Sequence, residues 1–200
     1  MDKYARLERF LLAELDFESH WALEAWSELV QLAFPQPPAV QEAPLDESLR
    51  QWTRVNRFLI HTTRLARLLD LRPGKIDAES RAALAEVANR FRERFGPSIL
   101  DSRDVRLARN MVEHLTDYIP RFCKDSVGRK LTSISMGRGA LPSSDSAHWV
   151  VRAFDPDTGL CEVMGHRINL RTIASEIRRF RMLLPKLPIE PEIITQEQTR

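Results

Sequence analysis

Cysteine is nearly absent from this 200-residue chain, which holds only Cys123 and Cys161. The two form no paired motif, so a disulfide-stapled scaffold is excluded. Cys161 and His166 alone fall short of a four-ligand zinc set, and no metal or other cofactor is expected. A chain this long buries roughly 70% of the surface its unfolded form exposes and needs no such staple. Long apolar runs are missing too. The longest uncharged run, Leu29 to Gln41, has 13 residues and three prolines, against roughly 20 apolar residues needed to span a bilayer. The N-terminal MDKYARLERFLLAELDFE alternates charged and apolar residues and lacks the core of a signal peptide. These absences lead to the expectation of a reducing, cytoplasmic setting without membrane contact.

Lysine is scarce against arginine, 5 to 25. The formal net charge of +2 conceals a gradient. Residues 1–50 hold 4 basic and 10 acidic residues, and residues 51–100 hold 10 basic and 5 acidic.

The first two thirds read as helices. Leu7, Phe10, Leu11, Leu15, Ala22, Trp26, Leu29 and Val30 recur at helical spacing, until Pro35, Pro37 and Pro38 end the first helix. A second helix is expected over 47–71, stopped by Arg72-Pro73-Gly74. A third spans about 78–95, with Asp77 as its N-cap and Gly96-Pro97 as its end. Asp101-Ser102 caps a fourth that runs to about Ile119, before Pro120. Short connections between four helices predict an up-down bundle over residues 1–120. Residues 121–146 lose periodicity and gain Gly and Ser, and read as a basic flexible loop. HWVVRAF (148–154), a turn at 155–159, and LCEVM (160–164) read as a β-hairpin. Asn169 caps a closing helix over 170–184, which completes an extension at 147–184. A Pro-rich tail, 185–200, follows. The fold class is therefore mainly α, a four-helix bundle with a C-terminal β-hairpin and helix.

On the fourth helix, at 100° per residue, Arg103, Arg106, Arg109, Asn110, Glu113, His114 and Asp117 fill one polar arc. With 25 Arg and 5 His, about 0.6 Arg-x4-His pairs are expected by chance, and requiring Asn after the Arg lowers this to about 0.01. Arg54 and His61 meet only a looser spacing, with Val55 in the polar place. Arg109-Asn110-Met111-Val112-Glu113-His114 resembles the motif of HEPN domains, helical bundles of prokaryotic toxin–antitoxin and abortive-infection systems. The resemblance covers about residues 1–120. It implies a metal-independent endoribonuclease acting on RNA as a homodimer, with motif helices facing across a basic cleft, and an antitoxin as a further protein partner. It assigns Arg109 to the scissile phosphate, Asn110 to orienting the site and His114 to general acid–base chemistry.

The residue types suit that chemistry. Metal-free RNA cleavage moves a proton from the 2′-hydroxyl, which imidazole does near neutral pH, and needs a fixed cation on the developing phosphorane charge. Arg109 and His114 lie about 140° apart around the helix, so a twofold mate can complete each cluster. Arg106 beside the motif, with Arg121, Lys124, Arg129 and Lys130 beyond it, is expected to contact RNA. Two features depart from the pattern: Glu113 and Asp117 put negative charge in the arc, and the extension after 145 exceeds a minimal HEPN domain. A non-catalytic HEPN-like scaffold or binding module is the alternative, and an unrelated helical interaction protein is the third reading.

Arg50, Arg54, Arg57, His61 and Arg64 form a stripe on the second helix. The stripe either tracks phosphates or pairs with Glu14, Glu18, Glu24 and Glu28 of the acidic first helix, and the opposite charges favour pairing.

Overall fold

A computed structural model of the chain describes residues 4–31, 45–71, 75–96, 99–125, 127, 130–138, 141 and 148–186. Among them the protein is mainly helical, with a small four-stranded sheet toward the C-terminus.

Helices α1 (Ala5–Gln31) and α2 (Leu45–Leu69) form the most extensive helix pair. Leu11, Leu15, Ala22, Trp26 and Leu29 of α1 bury one stripe against Val55, Phe58, Leu59 and Leu65 of α2, and the Trp26 and Phe58 rings meet at 5.8 Å. Fully burying a side chain of this size contributes about 1.5–3 kcal/mol. Helix α3 (Ala78–Phe95) has the expected bounds. Asp77 accepts a hydrogen bond from the Ser80 N–H at 2.8 Å, and Gly96 ends the helix at φ 90°, a conformation that favours glycine.

The fourth helix departs from expectation. Helix α4 spans Arg103–Glu113 and ends at His114, whose φ of −126° and ψ of 28° leave helical geometry. Helix α5 restarts at Leu115 and runs to Asp125, carrying Pro120 inside it. A proline forfeits one hydrogen bond and crowds the carbonyl four residues back; here the chain interrupts its ladder before the proline rather than stopping at it.

The stretch 121–146, expected as a loop, begins as the last turns of α5 and continues as strand β1 (Lys130–Met136). Its polar Ser and Thr residues hide no helical or alternating pattern; pairing with a distant strand supplies the order. Strand β1 runs parallel to β2 (His148–Asp155), which pairs antiparallel with β3 (Leu160–Val163), and β3 with β4 (His166–Asn169). The expected hairpin is β2–β3. Gly159 closes its turn at φ 72°, and a Cβ there would lie 2.8 Å from Arg171 Cβ, so a side chain is excluded twice over. Strand β4 was not anticipated. It follows a two-residue turn, Met164-Gly165, with both residues at positive φ, as the tight hairpin turn that matches strand twist requires.

Helix α6 (Leu170–Leu183) starts where Asn169 accepts from the Thr172 N–H at 3.0 Å, and the expected Leu170, Ile173, Ala174 and Ile177 face inward. Phe180 meets Phe95 of α3 edge-on at 5.2 Å, Arg181 reaches Asp16 of α1 at 2.9 Å, and the Asn169 N–H reaches Asp104 of α4 at 3.3 Å. Buried residues of β2, β3, β4 and α6 thereby join those of α1–α4 in one cluster. The tail beyond Lys186 lies outside the described residues.

Candidate functional site

Ser102 accepts the Val105 N–H at 3.3 Å and starts α4. Val105, Ala108 and Met111 are buried, and this inward face determines what the polar arc meets. Arg109, 24% exposed, lies toward the end of α2: its Nη1 donates to Asp70 Oδ2 at 3.2 Å, while its buried Nε has no hydrogen-bond partner. One turn on, Glu113 accepts from Arg67 Nε at 2.5 Å. Arg67 of α2 and Asp70, just past its end, thus face Glu113 and Arg109 of α4 in antiparallel register. The Glu113–Arg109 pairing that four-residue spacing permits is replaced by two pairs between helices.

The hydrogen bond from Arg67 holds the Glu113 carboxyl below the usual carboxylate range, and the charges of Arg67, Arg109 and His114 act in the same direction against the cost of burial. Both motif residues therefore bear on one carboxylate. Glu113 in turn raises the Arg67 guanidinium. The negative charge that stood against the motif is offset, at Glu113, by a cation from a neighbouring helix.

His114 sits at the break between α4 and α5, with 57% of its side chain exposed. Its N–H is held by the Asn110 carbonyl at 2.8 Å, and its own carbonyl accepts the Asp117 N–H at 2.9 Å. Asp117 Oδ2 lies 3.4 Å from Nδ1, and Glu113 Oε2 lies 4.0 Å from Nε2. A carboxylate at Nδ1 favours the tautomer with its proton there, leaving Nε2 as the basic atom. Arg109 and His114 form no hydrogen bond with each other; they flank Glu113 on the polar arc.

The other expected residues scatter. Asn110 is exposed. Arg106 is exposed and reaches Asp101 at 3.3 Å. Arg121 and Lys124 lie exposed on α5, Arg121 with Asp125 at 3.7 Å. Lys130 opens β1, and Arg129 lies outside the described residues.

The arginine stripe of α2 meets the acidic helix. Arg57 and Arg54 reach Glu28 at 3.0 and 3.6 Å, Arg64 reaches Glu18 at 3.5 Å, and His61 Nδ1 lies 2.6 Å from Glu18. Arg50 instead pairs with Glu47 of its own helix, and Glu14 and Glu24 take no part in those pairs. Of the tryptophans, Trp26 and Trp52 are buried in the core and Trp21 is half-buried. Burial raises the Cys161 thiol pKa strongly, which leaves it inert as a nucleophile. Among the described residues no cluster of His, Cys, Asp and Glu is placed to hold a metal, and no helix is long and apolar enough to cross a membrane. Sequence reasoning missed Arg67 and Asp70; the only signal was their opposite charges three residues apart at the end of α2.

Fold and site define a mainly helical protein whose α2–α4 seam is closed by two ion pairs around an Arg-Asn-x-x-x-His segment. No known family model, curated protein or solved structure matches the chain.

Proposed function

We propose that this is a HEPN-like, metal-independent endoribonuclease of a defence or toxin–antitoxin type, built on an up-down four-helix bundle and acting as a homodimer. The observation that carries the reading is the place of His114. The α4 break exposes its imidazole, Asp117 sits at Nδ1, and Glu113, which could repel a phosphate, is held by Arg67.

In this mechanism His114 Nε2 takes the proton of the 2′-hydroxyl. The 2′-oxygen forms a bond to phosphorus, the bond from phosphorus to the 5′-oxygen breaks, and the His114 of the second copy returns a proton to the leaving oxygen. Arg109 supports the charge that builds on the phosphate oxygens. Val112 and Ile119, exposed on either side of His114, provide an apolar surface for the second copy. Arg106, Arg121, Lys124, Arg129 and Lys130 contact flanking phosphates, and a cognate antitoxin protein silences the site.

The alternative, a non-catalytic HEPN-like scaffold, draws on one observation: Asp70 already occupies Nη1 of Arg109. Cleavage of RNA in excess chelator separates the two. His114→Ala and Arg109→Ala should each lower the rate by about 100-fold or more. Equal activity in wild type and both variants defeats the nuclease reading.

A further inference from the structure

A cleft of about 320 Å³ opens on the α3 side of Arg109, between α2, α3 and α4. Leu69, Phe91 and Val105 form its small apolar part, and the rest of its exposed lining is polar. Its walls carry three guanidinium groups, Arg92, Arg106 and Arg109, against two carboxylates, Asp70 and Asp101. One positive charge is left uncompensated.

The local chemistry points to a missing anion. Arg109 donates through Nη1 to Asp70, but its Nε is buried without a hydrogen-bond partner. Buried polar atoms are almost always satisfied, and an orphan marks a place where a water, an ion or local strain completes the arrangement. Among the described residues Arg92 donates to Asn89, a neutral partner, at 2.9 Å. Leu100, also on the wall, is buried with φ at 51°. A non-glycine residue rarely adopts that conformation, and such strain collects at ligand sites.

We propose that this cleft binds a small organic phosphate, its phosphate met by Arg92, Arg106 and Arg109 and its ring-bearing body laid on Leu69, Phe91 and Val105. Three guanidinium groups from two helices match the several faces of a tetrahedral phosphate better than the single plane of a carboxylate. The volume falls at the lower end of small-ligand sites, about 300–1,000 Å³, which suits a single phosphorylated unit rather than a polymer. The proposal does not rest on RNA cleavage, and His114 is not part of the cleft.

Calorimetric titration of the full chain with AMP, adenosine and inorganic phosphate tests it. AMP should bind at least tenfold more tightly than either fragment. Arg92→Gln and Arg106→Gln, both at exposed positions, should each weaken AMP binding about tenfold, while Arg50→Gln on α2 leaves it unchanged. Lack of saturable AMP binding overturns the proposal, as does unaltered affinity in both cleft variants. Adenosine binding as tightly as AMP removes the phosphate contact, and inorganic phosphate binding as tightly removes the apolar one. The cleft shares Arg106 and Arg109 with the proposed RNA contacts but not His114, so His114→Ala should keep AMP binding even where it abolishes cleavage, which tells failure of one reading from failure of the other.

Discussion

Arg109 is tethered through one corner of its guanidinium: Nη1 donates to Asp70 Oδ2 at 3.2 Å, while Nε on the same side chain has no partner. The residue is therefore oriented without being saturated. The Asp70 carboxylate, just past the end of α2, fixes which way it points.

Asp70→Asn should remove the competing negative charge while keeping the shape. RNA should bind several-fold more tightly to this variant, measured by fluorescence anisotropy at fixed salt. Both side chains of the pair are partly exposed, so the stability lost in a urea melt should be below about 1 kcal/mol. Weaker RNA binding would show that Asp70 orients Arg109 more than it competes for it.

Glu113 makes stability depend on pH in one direction. Its folded pKa is depressed by Arg67, so between that value and the unfolded one, about 4.3, the unfolded chain binds more protons. The contribution is fully present above the unfolded pKa and is lost as pH falls through the folded pKa. Glu113→Gln should therefore be less stable than wild type at pH 7, by less than about 1 kcal/mol because Arg67 is largely exposed. The gap should narrow in denaturant melts at pH 3. A gap that widens with acid contradicts the assignment.

Phe180→Ala tests whether α6 belongs to the same cooperative unit as the N-terminal helices. Phe180 is fully buried and meets Phe95 edge-on. Truncation should cost about 3–5 kcal/mol and lower one shared transition, seen alike by helical ellipticity and by tryptophan fluorescence. Two separated transitions would make the C-terminal part an independent domain.

The legible parts of the fold are those determined by neighbours in sequence. Asp77 and Gly96 bracket α3, Asn169 opens α6, and the β2–β3 turn is specified by Asp155 through Gly159. Strand β1 was illegible because each of its residues pairs with one 18 positions further on, in a parallel register that β2 imposes. The α4 break at His114 was illegible for a similar reason, since the polar arc continues smoothly across it and only the backbone reveals the interruption. At the site, the spacing located Arg109 and His114, and the charge blocks located the α1–α2 ion pairs. The seam could not be read, because Glu113 could pair with Arg109 on its own helix or with Arg67 across the gap. Packing of Val105, Ala108 and Met111 decided between them.

The bond between Asp16 and Arg181 joins residues 165 positions apart. At a synthesis rate of about 5–20 residues per second, α1 waits on the order of ten seconds or more for α6 to be made. During that interval part of its apolar stripe has no cover, and a nascent chain in this state is a target for chaperones and proteases. The buried cluster shared by α1 and α6 is therefore completed only once α6 has been made.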